Sequence, residues 1–172
     1  SVHWTIIWNR ITQNPLYKKV LHRRRTKKET PDTKIWMSDT EINIARRLES
    51  QRSSINLIEP LICNIRCKFP IPDELYYNIL IATTEAINNA IIHGNKLNPA
   101  KYVLLNVHAD GSEIIITVVD EGSGFDYSHV QDPRLPQNLM KDGGRGVFLM
   151  HQLSSSAEFF DGGRGIKMVF KL

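Results

Sequence analysis

Thr84-Glu85-Ala86-Ile87-Asn88-Asn89-Ala90-Ile91-Ile92-His93-Gly94 decides how this chain reads, because it sets a carboxylate and a carboxamide four residues apart on an apolar helix. Side chains at i and i+4 share one helix face. Glu85 and Asn89 are therefore expected to point together into a pocket, with Ile81, Ala82, Ile87, Ala90 and Ile91 giving apolar cover elsewhere. An acid beside a neutral oxygen ligand suits magnesium-phosphate chemistry. Alone, the segment also reads as an ordinary amphipathic helix ending at Gly94.

Two further segments place glycines where a nucleotide site needs them. Ile114-Ile115-Ile116-Thr117-Val118-Val119-Asp120 reads as a buried strand and runs into Glu121-Gly122-Ser123-Gly124-Phe125-Asp126. A carboxylate at a strand end followed by flexible backbone is a binding-site arrangement. Downstream, Gly143-Gly144-Arg145-Gly146 precedes the apolar run Val147 to Leu153, a helix whose first amides would face the glycine-rich turn and suit phosphate. Each glycine pair by itself is also an ordinary turn signal.

The remaining elements predict an α/β sandwich. Glu41 to Ala45 alternates like a strand, and Ser54 to Lys68 carries apolar residues at helical spacing. Phe69-Pro70-Ile71-Pro72 breaks that helix, and Asp73 is expected to cap the long helix bearing Glu85 and Asn89. Tyr102 to His108 and Glu113 to Asp120 read as an antiparallel hairpin about Ala109-Asp110-Gly111-Ser112. After the long connection from Gly122 to Gly146 come the Val147 helix and strands near Ala157–Asp161 and Ile166–Leu172. The economical assembly is a two-layer α/β (α+β) sandwich, its mixed, mostly antiparallel sheet covered on one face by about three helices. A connection that long in a small domain reads as a lid.

The chain of 172 residues, 41% hydrophobic, has room for one domain with a proper core, not for a large multidomain machine. The net charge of +4 is asymmetric: residues 1 to 35 hold nine Lys or Arg against two Asp or Glu, leaving thirteen against sixteen for the rest. The expected division is a basic amino-terminal extension over 1–35, with the composition of a solvated, disordered run, and a folded domain over 36–172. The folded part gives no charge argument for nucleic acid. Val2 to Trp8 is too short to cross a bilayer and lacks a following small-residue cleavage site. The chain starts at Ser1, as a fragment or processed product would. Cys63 and Cys67 read as reduced, mostly packed thiols of a cytoplasmic protein.

Taken in order, E-x-x-x-N-A-x-x-H-G, D-x-G-x-G, G-x-G before a helix, and Gly163-Arg164-Gly165-Ile166-Lys167-Met168 before a final strand, the motifs resemble the GHKL ATPase superfamily. Within it, Asp132 to Leu139 leading to Gly144-Arg145-Gly146-Val147-Phe148-Leu149-Met150 is most similar to the bacterial anti-sigma factor serine/threonine kinases. The resemblance spans roughly residues 36 to 172 and implies the Bergerat-type ATP-binding fold. It implies that Asp120 selects adenine by accepting from its amino group, that Gly122 and Gly124 admit base and sugar, and that Asn89 binds Mg2+. Gly144, Arg145 and Gly146 would meet the phosphates of ATP, and Glu85 would orient or deprotonate the attacking hydroxyl. The implied partners are an antagonist protein as phosphoacceptor and a sigma factor, with no direct nucleic acid expected from the folded domain and no membrane span, and a homodimer is common among relatives. His93 reads as a packing residue at the helix end.

Three readings follow. The first is a serine/threonine kinase of the anti-sigma type. The second is a non-catalytic or slowly hydrolysing switch that uses ATP to gate a protein interface. The third, a histidine kinase catalytic domain, fits less well: an imidazole nucleophile needs no carboxylate where Glu85 stands, and His22 lacks the acid and proline of a phosphoacceptor site. Asp142 departs from relatives that place arginine there, with Lys141 or Arg145 as the cations that would compensate.

Overall fold

A computed structural model describes residues 27–30, 32–127 and 145–172. The tail before Lys27, residues 128–144 of the expected lid, and with them Gly144, lie outside the described residues. In chain order the elements are β1 (Lys27–Thr30), β2 (Thr33–Met37), β3 (Ile42–Glu49), a 3-10 turn (Arg52–Leu57), α1 (Ile58–Arg66) and α2 (Asp73–Asn89), which continues as a π-helical turn (Ala90–Gly94). Then follow β4 (Tyr102–Ala109), β5 (Glu113–Val119), α3 (Arg145–Leu153), β6 (Ser156–Phe160), a 3-10 turn (Asp161–Gly163) and β7 (Gly165–Lys171).

The strands form one seven-stranded sheet in the order β1-β2-β3-β4-β5-β7-β6. Residues of period two face the core: Val103, Leu105, Val107 and Ala109 on β4, Ile114, Ile116 and Val118 on β5, and Met168 and Phe170 on β7 are all buried. The helices meet that face with Ile58, Leu61, Ile62 and Ile65 from α1 and Tyr76, Ile79, Ala82, Ala86 and Ile87 from α2. The result is the two-layer α+β sandwich, helices on one face.

Every strand pair is antiparallel, where the sequence suggested a mixed, mostly antiparallel sheet. The reason is topological. β6 runs in the same direction as β5, but the hairpin return of β7 sits between them and takes both sets of hydrogen bonds. The sheet also begins earlier than the expected boundary at residue 36: β2 pairs Ile35 with Ile44 and Trp36 with Asn43, and β1 pairs with β2 in turn. Asp32 ties this hairpin to β3, its Oδ1 accepting from Arg47 Nε at 2.9 Å and its carbonyl from the Arg47 amide at 2.8 Å.

Two local expectations change. Asp73 is the first residue of α2 after Pro72 and makes no side-chain cap; its carboxylate pairs with Arg66, while the Pro72 carbonyl accepts from the Tyr76 amide at 2.9 Å. Cys63 and Cys67, expected to be packed, are exposed free thiols on α1 and at its end. The β4–β5 turn follows its chemistry. Asp110 Oδ1 accepts from the Ser112 amide at 2.7 Å, the Ser112 hydroxyl at 2.8 Å and the Glu113 amide at 3.0 Å. Partial burial pushes the Asp110 carboxyl up, but those donors outweigh it and hold it below the usual carboxylate range.

Candidate functional site

α2 carries Glu85 and Asn89 to the end of the helical layer, and the π-helical turn keeps the chain winding as far as Gly94. Its wider bond is explicit, the Asn95 amide donating to the Ala90 carbonyl five residues back at 2.8 Å, and the Leu97 amide closes the end on the Ile91 carbonyl at 2.9 Å. This winding delivers Gly94 onto the end of β5. A methyl group on Gly94 would stand 2.3 Å from Asp120 Cγ, so only the bare glycine permits the approach.

Asn95 then locks the junction. Its Nδ2 donates to Ser50 Oγ at 2.7 Å and to the Tyr102 carbonyl at 2.9 Å, while its Oδ1 accepts from the Glu121 amide at 2.8 Å. Glu121 Oε2 accepts from the Tyr102 amide at 2.7 Å. Thus β3, α2, β4 and the loop after β5 are joined by one buried amide. Asn95 was missed in the sequence, where its only signal is a polar residue directly after the helix end.

Asp120 is 7% exposed. Its amide donates to the Arg164 carbonyl at 3.0 Å, and its Oδ1 accepts from the Gly122 amide at 2.7 Å, leaving Oδ2 for a ligand. Burial raises its carboxyl above the ordinary value, against the opposing pull of the Gly122 amide and the Arg164 and Lys101 cations.

These residues border one cavity of about 560 Å³. Glu85, Asn89, Asp120, Gly124, Arg145 and Gly146 line it together, and Val118, Met150 and Ile166 supply an apolar floor. Gly146, in the first turn of α3, lies against the α2 pair: a methyl group there would be 2.8 Å from Glu85 Oε2 and 3.1 Å from Asn89 Nδ2. The start of α3, a carboxylate and a carboxamide thus meet at one spot of the cavity wall.

Not every expected site residue reaches the wall. Gly122 is absent from the lining; it orients Asp120 and packs against the Gly94 carbonyl. His93 is exposed at the cavity edge instead of packed. Aromatic residues that sequence reasoning overlooked shape the mouth: Phe159 contacts Phe125 edge-on at 5.3 Å and stacks on Tyr127 at 5.3 Å and 21°. Their signal was faint, since Phe125 and Tyr127 read as loop and Phe159 as strand.

Among the described residues no group of three or more His, Cys, Asp or Glu could hold a metal alone. The donor set fits Mg2+ nonetheless, because that ion takes one or two protein oxygens and completes its shell with water and phosphate. The cavity that Asn89 and Glu85 line is where such a complex would sit. No described helix is long and apolar enough to cross a membrane.

The family model for the histidine kinase-like ATPase domain matches residues 60–170. An anti-sigma F factor from Clostridium perfringens (strain SM101 / Type A) is 32% identical over 107 residues, covering 59% of this chain and 74% of that protein. A serine-protein kinase RsbW from Staphylococcus epidermidis is 25% identical over 142 residues, covering 77% of this chain and 89% of the relative. A crystal structure of the RsbU and RsbW domains of a Mycobacterium tuberculosis protein aligns at a TM-score of 0.48 and 15% identity, over 75% of this chain and 31% of that one. The match from α1 through β7 includes every described residue of the cavity wall, and this chain belongs to the histidine kinase-like ATPase domain family.

Proposed function

We propose that the chain is an ATP-dependent protein serine/threonine kinase of the anti-sigma type, which phosphorylates an antagonist protein and sequesters a sigma factor. The observation that carries this reading is the meeting of Glu85, Asn89 and Gly146 in a cavity that also exposes Asp120. The names of its relatives, anti-sigma F factor and serine-protein kinase, supply the substrate class.

Adenine enters over Val118, Met150 and Ile166, and Asp120 Oδ2 accepts from its amino group; guanine has no donor there. Gly124 lets the backbone pass close to the base, and Gly122 holds Asp120 in place. The first amides of α3, with Gly146 and Arg145, face the phosphates, joined by Gly144 from outside the described residues. Asn89 would hold Mg2+ through its amide oxygen, and the ion would supply charge neutralisation at the phosphates. Glu85 accepts the proton of the attacking serine or threonine hydroxyl, a step that a hydroxyl nucleophile gains most from.

Incubating the protein with γ-labelled ATP, Mg2+ and a small single-domain antagonist protein from the same genome tests this. Phosphoserine or phosphothreonine on the antagonist, absent with Glu85→Ala, is the expected result. Stable ATP-dependent complex formation without phosphate transfer would overturn the kinase in favour of a nucleotide-gated switch.

A further inference from the structure

Tyr77 and Ile81 are large apolar side chains left 57% and 43% exposed. Both lie on α2, four residues apart, and Glu85 follows four residues later, so the three form one row along one helix face. At about 1.5 Å of rise per residue, Tyr77 stands about 12 Å from Glu85 along the axis. The core does not use this row, since Tyr76, Ile79, Ala82, Ala86 and Ile87 already fill the inward face of α2. Tyr77 is held on its buried neighbour Tyr76 by an edge-on ring contact at 5.3 Å. Glu74, exposed one turn earlier, makes the far end of the row acidic, as Glu85 does the near end.

We infer that this row is the docking surface for the protein that receives the phosphate, and that the docking protein sets an apolar side chain on Tyr77 and Ile81 and a lysine or arginine against Glu74. The inference rests on the kinase reading. Glu85 lines the nucleotide cavity, so a macromolecular hydroxyl must reach it from outside, and the row on α2 leads outward from that same carboxylate. A partner body committed to Glu85 covers Ile81 and Tyr77 next. Carboxylates at both ends of an apolar pair favour a cationic rim on the partner. They disfavour a second copy of this chain, because a two-fold contact with the helices antiparallel would set Glu74 of each copy against Glu85 of the other.

The test measures steady-state phosphorylation of the antagonist protein named above, with the Tyr77→Ser/Ile81→Ser double variant and with Leu57→Ser, a similarly exposed apolar site off this row, as control. The double variant is expected to raise KM for the acceptor by about tenfold or more while kcat at saturation and ATP affinity stay unchanged. Tyr77→Phe/Ile81→Leu is expected to keep the original KM, as is Leu57→Ser. An unchanged KM in the serine variant would overturn the docking surface, as would a loss of ATP affinity or a change of assembly size in sedimentation. If the unmodified protein binds ATP yet transfers nothing, the kinase reading falls first and the docking surface with it.

Discussion

Gly146 brings the phosphate end of the site and the proposed base within contact, so it is the residue at which a single methyl group tells most. Gly146→Ala would press Cβ to 2.8 Å from Glu85 Oε2. Displacing that carboxylate by even an ångström is expected to lower kcat about a hundredfold in the transfer assay, with only a small change in melting temperature. Asp120 offers a pH test. Its folded-state carboxyl is raised by burial, so ionisation costs stability. That cost is absent below the unfolded value near 3.8, grows as pH rises through it towards the raised folded value, and is complete above. Asp120→Asn keeps the acceptor for the Gly122 amide and removes the ionisation. Relative to the unmodified protein it should gain stability in urea unfolding between pH 3 and pH 7 while losing adenine selectivity; an equal difference at both pH values would contradict the assignment. That Glu85, Asn89 and Asp120 line one cavity was legible in the sequence because helical spacing and a strand end fix their directions. Asn95, Phe125 and Phe159 were not, since their roles exist only once β3, β4 and the loops meet.

The β4–β5 turn is the element whose sequence chemistry is most complete, three donors converging on Asp110 Oδ1. Asp110→Ala is expected to destabilise the domain by about 1–2 kcal/mol at pH 7. Because the folded-state carboxyl is lowered, this stabilisation is present above the unfolded value near 3.8 and fades as pH falls through the folded value. Denaturant melts at pH 7 and pH 2.5 should show the cost of the substitution shrinking at the lower pH. In α2 the 3.6-residue period identified the helix, yet not its π-helical ending. That ending depends on Gly94 seating against Asp120, a long-range contact no local pattern encodes. β1 and β2 were overlooked for a related reason: Lys27, Lys28 and Lys34 make the segment read as solvated, although Ile35 packs on the core. Removing residues 1 to 37 should therefore destabilise the domain by exposing the edge of β3, visible as a lower melting temperature.

Across the whole molecule, sheet and helices hold four separated segments around one cavity, and the claim on which all else depends is that this cavity takes Mg2+-bound ATP. A nucleotide that binds only the folded state stabilises it by about 2.7 kcal/mol at a hundred times its dissociation constant, so thermal shifts should track ATP concentration. The sequence announced this cavity through motif order, while its depth and aromatic mouth needed the register of β5, β7 and β6. The most direct measurement is isothermal titration calorimetry of the folded protein with ATP and Mg2+, repeated with GTP and with Asn89→Ala. One ATP per chain, little or no heat with GTP, and a loss of Mg2+ dependence in Asn89→Ala are the expected results; no heat with ATP, or equal binding of GTP, would contradict the account.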